Sequence, residues 1–414
     1  MKRRHFFATV TTAGLAGCFG GSNSEPTDQS TTGSITELKN SEYVWKHKIP
    51  GNSLVVSHGR VLGDEKVPRT DQHGLDISGG VFSLNVQSGN HQWTYGSSHE
   101  SMSGYGTPIV KDAIYVNKGN DVTSWPFAIE FDGTERWSGS ESSSGPLSGG
   151  ISHVIDGIAY LEDRTDVRAI DAATGEQSWT ARGSSVELDT AVSDTHETVY
   201  IGGDELVARN PDDGSVQWRY EHSGDESDVE VVSDGVVYAT VDREAVIAVA
   251  DGELLWRVDA LSGVYRLKVV AGSVLIGNRT RIYAFDATTG DQRWTKKMGG
   301  RVHANTDRVY VSRKGNIGER SYVSAFAFSD GAKIWTTEVG NKDKFQSLSM
   351  NVIEEGKKSD GGPLFVQIGR EKLHRINSVG EITQTWTAEE MLHDFVIDEF
   401  LIISTDSGIY ALKP

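Results

Sequence analysis

The sequence predicts an all-β protein made of one repeated sheet, and three observations predict it. A unit of two short strands and a tight turn ending in tryptophan recurs through the chain; IYAFDATTGDQRW, ending at Trp294, is its clearest copy. Tryptophans at that position, residues 45, 93, 137, 179, 218, 256, 294, 335 and 386, are 38 to 51 residues apart, the length of four strands with their turns. Three strand-like segments follow Trp386, while a lone outer strand, Glu42-Tyr43-Val44-Trp45, precedes the first full unit. Four-stranded units of this period are the blades of a β-propeller. Pairing the two ends in one blade would close the ring and remove two exposed edges.

Each element follows from local chemistry. Ile282, Ala284 and Asp286 alternate with Tyr283 and Phe285, the period of a half-buried strand. Asp286 can bond the backbone two residues on, and Gly290 can take the left-handed conformation that a bulged hairpin needs. Other copies are VFSLNVQSGNHQW, PFAIEFDGTERW, VRAIDAATGEQSW, LVARNPDDGSVQW, VIAVADGELLW, VSAFAFSDGAKIW and LHRINSVGEITQTW. A second strand precedes each hairpin, as in AIYVN (113–117), TVYIG (198–202), VVYATV (236–241) and RVYVS (308–312), with an innermost strand upstream of it. No helix of useful length is predicted. The tryptophans are read as blade packing rather than as a ligand cage, since burying one stabilises by several kcal/mol. Ala250-Asp251-Gly252 and Asn377-Ser378-Val379-Gly380 lack an evident tight turn, so a degenerate blade is expected there.

The N-terminus carries an address. Lys2-Arg3-Arg4-His5-Phe6-Phe7, with Arg3 and Arg4 adjacent, resembles a twin-arginine export signal, and Leu15-Ala16-Gly17-Cys18 resembles a lipobox. Residues 1–17 are thus expected to be a lipoprotein signal peptide, with Cys18 carrying the lipid. Residues 18–40, rich in Ser, Thr and Gly, read as a flexible tether reaching about 25 Å. The propeller is expected to fill 41–414. Cys18 is the only cysteine, which excludes an intramolecular disulfide and a cysteine-based metal cluster. With 58 acidic against 40 basic residues the net charge is −18, which argues against nucleic acid, or an anionic membrane surface, as a partner of the body and for adaptation to high salt. With that export signal it suits a halophilic archaeon.

The units VRAIDAATGEQSW and IYAFDATTGDQRW resemble the repeat of the pyrroloquinoline-quinone-type propellers, which runs close to VYVGS…LYALDAxTGExxWxx. The resemblance extends from about residue 42 to the C-terminus and implies an eight-bladed ring; the tryptophan count gives nine as the alternative. The superfamily includes quinoprotein dehydrogenases and cofactor-free scaffolds such as the barrel-assembly lipoprotein of outer membranes. Quinoprotein dehydrogenases resemble this chain in their repeats but carry an adjacent-cysteine disulfide, a calcium site and an Asp base. The disulfide cannot form here, and no residue matches the other two. The expectation is therefore a lipid-anchored, extracytoplasmic, monomeric propeller that binds an unknown protein, with no catalytic residues, cofactor or metal. Rival readings are a quinoprotein-type oxidoreductase and a solute- or glycan-binding propeller.

A binding face is also predicted. Loops joining second to third strands, and loops joining blades, emerge on one side of the ring. Those at 63–80, 96–106, 117–126, 138–150 and 313–321 are long, whereas the middle blades turn tightly. Long loops on a rigid scaffold are where binding resides. Trp125 falls off the repeat and is expected in such a loop as a hot spot. Arg69, Asp71, His73, Asp76, Tyr105, Arg313 and Arg320 are the candidate polar rim.

Overall fold

The computed structural model describes residues 33–70, 76–96, 104–105, 107–119, 124–139, 149–162, 166–182, 190–192, 198–259, 261–264, 266–313, 320–341, 348–352 and 363–413. Nine sheets make the ring. Blade one is Gly51–Ser57, Arg60–Thr70, Asp76–Asn85 and His91–Tyr95. Blade two begins with Gly104–Tyr105 and Ile109–Val110, followed by Ile114–Gly119, Ser124–Ile129 and Glu135–Ser138. Blades three to six are four-stranded sheets within residues 150–296. Blade seven is Arg301–Ala304, Arg308–Arg313, Arg320–Ala327 and Lys333–Asn341. Blade eight is Leu348–Val352, Leu364–Ile368, Lys372–Ile376 and Ile382–Thr387. Innermost strands of successive blades lie side by side, as Ser227–Ser233 does against Arg266–Val270.

Blade nine joins the two ends of the chain. Leu392–Ile397, Leu401–Thr405 and Gly408–Leu412 supply three strands, and Tyr43–His47 supplies the fourth, with Tyr43 opposite Leu412 and His47 opposite Ile409. The closing blade is locked to blade one by polar contacts. The Leu54 amide donates to the Asp394 carboxylate at 2.8 Å, and the Gly51 amide donates to the Ser404 hydroxyl at 2.9 Å.

Nine blades, the alternative count, replace the eight that the family resemblance implied. Both units expected to be degenerate form complete sheets. Asp251 and Gly252 take φ of +51° and +78°, which joins Ala245–Ala250 to Glu253–Val258 through a two-residue turn. In blade eight the Asn377 side-chain carbonyl accepts from the amides of Val379 (3.1 Å) and Glu381 (2.8 Å), so an Asx turn does the work.

The middle strands are sandwiched between neighbouring blades, so they are apolar on both faces; Ser273–Gly277 is buried throughout. An alanine of the third strand faces the tryptophan in seven blades, as Ala248 faces Trp256 and Ala411 faces Trp45. Without a side chain beyond Cβ, it lets the indole lie across the sheet. Each indole then reaches the next blade: Trp137 donates to Ala172 O (2.9 Å), Trp256 to Ala287 O (2.9 Å) and Trp335 to Ser378 O (3.0 Å).

Residues before 41 already pack on the ring. Ser34–Glu37 is a strand that adds in parallel to the outer edge of blade eight, pairing Ser34 with Gln384 and Glu37 with Thr387. A 3₁₀ turn, Leu38–Asn40, follows, with Leu38 only 2% exposed. Residues 34–40, expected as the end of a tether, thus belong to the ring instead, and residues 18–32 lie outside the described residues.

Candidate functional site

Antiparallel strand order places every second-to-third connection on one face, and the blades differ most in how far those strands run. In blade one the outer strand stops where Tyr95 pairs with Val81. The second and third strands continue through Glu65–Gly80 and Val67–Ile77 to Thr70–Asp76. The segment expected as a loop from 63 to 80 is thus mostly a two-stranded ribbon projecting from the ring. Backbone pairing is sequence-tolerant, so a stretch broken by Gly and Pro still forms a ribbon when its partner is a hairpin neighbour. Arg69 and Asp76 lie on its two strands; Asp71 and His73 fall outside the described residues.

Blade two carries a second extension. Its outer strand begins to pair at Phe127 and Ser138, whereas the second and third strands continue together to Trp125–Lys118 and Ser124–Gly119. Gly104–Tyr105 adds to the far side, with Tyr105 opposite Lys118. Tyr105, Lys118 and Trp125 therefore stand in one row across three strands. Trp125 is a correction: it is part of a strand, not a loop, and is 8% exposed. The buried Lys118 ammonium lies 6.0 Å from its ring centroid, within cation–π range. The indole packs against the ribbon over Lys118. Lys118 itself was missed, because nothing in its local pattern separates a buried lysine from a loop lysine; only its alignment with Trp125 across the hairpin could have pointed to it.

Arg313 and Arg320 belong to blade seven, with blades eight and nine between them and the ribbon of blade one. Both are exposed, and Arg320 pairs with Glu338 on the neighbouring strand. The candidate residues thus form two groups on one face, not one cluster. In the middle blades the same face is closed tightly: Asp242 and Arg243 turn with φ of +52° and +56°, and the Asp242 carboxylate accepts from the amides of Asp225 and Glu226 at 3.0 Å each. Among the described residues, no three His, Cys, Asp or Glu side chains converge as metal ligands do. Arg3, Arg4 and Cys18 lie outside the described residues.

Comparison with known proteins agrees with this architecture. A family model described as outer membrane protein assembly factor BamB matches residues 128–248 and 233–344, more than half of the chain. The chain belongs to the pyrroloquinoline-quinone-type β-propeller repeat family. It is similar to the outer membrane protein assembly factor BamB of Yersinia pestis, with 24% identity over 298 residues, covering 64% of this chain and 72% of that one. Among solved structures, BamB from Moraxella catarrhalis superposes with a TM-score of 0.50 at 14% identity, covering 73% of this chain and 93% of that one. The computationally designed Ika8 protein superposes with a TM-score of 0.51, also at 14% identity, covering 90% and 98%. At that identity the likeness of the structures is one of fold, and a family propeller is a scaffold on which function is set by loops.

Proposed function

We propose that the protein is a lipid-anchored, extracytoplasmic, non-catalytic scaffold that holds a protein partner on the face bearing the ribbons of blades one and two. The observation that carries this reading is the unevenness of that face: two ribbons project from adjacent blades, the second with Trp125 packed over Lys118, while the middle blades end in tight turns. A rigid ribbon presents backbone and side chains without the ordering cost of a long loop, which favours protein recognition. The relatives described as assembly factors support a protein-binding role, and the Arg3-Arg4 and Cys18 pattern supports export and lipid attachment.

Co-purification from native membranes, crosslinked before extraction, identifies the partner. Replacing residues 66–79 with a short turn should abolish capture while leaving the melting temperature within a few degrees of wild type. Trp125→Ala should weaken capture by more than about 1 kcal/mol by loosening the second ribbon. Sensitive positions confined to the opposite face, at the His58–Gly59 and Asp156–Gly157 turns, would overturn the assignment. Cys18→Ser should move the protein from membrane to medium, and Lys at positions 3 and 4 should block export.

A further inference from the structure

The point at which the chain joins the ring has a specific position. Gly33 lies so close to blade eight that a Cβ there would meet the Ile382 carbonyl oxygen at 2.2 Å, so the approach is open only to glycine. From Gly33 the chain runs along the outer edge of blade eight as Ser34–Glu37, turns at Leu38–Asn40, and becomes the outer strand of blade nine. The side chains displayed on this rim break the usual polarity of an outer strand. Ile35 is 75% exposed, Val379 on the adjoining turn of blade eight 60%, and Tyr43 and Val44 on blade nine 46% and 42%. These are half of the eight large apolar side chains most exposed among the described residues; Ile334 is on blade seven, and Val216, Leu254 and Leu255 are on blades four and five, across the ring.

We infer that the rim of blades eight and nine, through Ile35, Tyr43, Val44 and Val379, rests against the lipid surface to which Cys18 holds the chain. The inference rests on the lipid-anchor reading and adds the orientation of the ring. Length of chain selects lipid over other occupants. Only the residues between Cys18 and Gly33 separate the anchor from this rim, and read as the tether that their Ser, Thr and Gly content suggests they would span about 20 Å on average, which keeps the rim near the membrane. Isolated exposed apolar residues need no explanation, but four on the two adjacent blades that flank the point of attachment do. Aliphatic side chains with a tyrosine among them suit the boundary between headgroups and acyl chains. Contact is apolar rather than electrostatic. Lys39 is engaged by Glu37 and Glu389, Lys46 bonds the Tyr410 hydroxyl at 2.7 Å, and Glu42 is exposed beside them. Held edge-on, the ring presents its ribbon-bearing face sideways, accessible to a partner in the same membrane.

Lipid consumes the only cysteine, which makes the test direct. Full-length lipidated variants Ile35→Cys, Val379→Cys, Val216→Cys and Leu255→Cys are labelled with bimane and reconstituted in phosphatidylcholine vesicles containing brominated acyl chains. Fluorescence at positions 35 and 379 should be quenched at least twofold more than at 216 and 255. Equal quenching at both rims, or stronger quenching at 216 and 255, overturns the orientation. Protection of 35 and 379 from aqueous iodide without quenching by bromolipid also overturns it, because a second protein copy then covers the rim. A wild-type chain that fails to float with the vesicles removes the anchor reading itself, and the orientation with it.

Discussion

The interface between blades five and six and that between blades eight and nine solve the same packing problem differently. At the first, Trp256 donates to Ala287 O at 2.9 Å, Tyr238 tilts against it with centroids 5.9 Å apart, and Gly290 of the next blade's turn lies over the indole. At the second, no such turn can exist, because the third and fourth strands of blade nine come from opposite ends of the chain. Trp386 instead stacks on Phe365, with centroids 6.0 Å apart, and shares its cluster with Leu38, Phe395 and Leu412. Leu38 lies on the 3₁₀ turn before the fourth strand of blade nine, the place in strand order where other blades have their hairpin turn. What a blade requires is therefore apolar cover for its neighbour's tryptophan; a turn glycine usually supplies it, and at the closure the N-terminal segment does.

The largest expected effect tests that equivalence. Trp256→Ala should lower stability by about 3–5 kcal/mol in denaturant unfolding, and Leu38→Ala at the closure by about 2–3 kcal/mol. A Leu38→Ala protein with an unchanged midpoint would mean that the closure needs no cover.

Acid distinguishes two further junctions, seven–eight and nine–one, on either side of blades eight and nine. His374 of blade eight is buried, its Nε2 3.1 Å from Val339 O of blade seven and its Nδ1 2.7 Å from the Thr385 hydroxyl. Burial holds its pKa at about 4, below the ordinary 6.5. Since the unfolded chain takes up the proton first, this contribution is complete above pH 6.5 and is lost as pH falls towards 4, on the order of 3 kcal/mol. Asp394 at the closure has the opposite sign: burial raises its carboxyl above 3.8, so its contribution declines as pH rises past that value. His374→Gln should flatten the stability profile between pH 6.5 and 4, read from urea midpoints. An unaltered slope would place the acid sensitivity elsewhere.

The smallest effect is a difference between two glycines of the same φ, +75°. A Cβ on Gly290 would come within 2.8 Å of the Trp256 ring, whereas one on Gly235 meets nothing within 4 Å. Backbone strain is common to both, so Gly290→Ala should exceed Gly235→Ala by about 1–3 kcal/mol in thermal or urea unfolding, the cost of overpacking alone. Equal losses would show that the turn conformation matters and the indole contact does not.

Much of the ring was determined by the sequence itself. Every blade needs one outer strand with a large side chain to bridge to its neighbour, so the tryptophans count the blades, and Trp45 with the last three strands announces the closure. Tertiary structure decided three things. The two units without an evident turn became complete blades, so that all nine counted by the tryptophans form, because the two-residue turn at Asp251-Gly252 and the Asx turn at Asn377 close hairpins that carry no recognisable loop signature. Trp125 became a buried brace because burial depends on what lies across the hairpin, here Lys118, and not on neighbours in sequence. Ser34–Glu37 became a strand although SITE is short and has no strand pattern, because the open edge of blade eight offers amide and carbonyl groups to any backbone that reaches it. Side-chain periodicity is written in the chain, whereas an edge that pairs through its backbone is blind to the side chains it recruits.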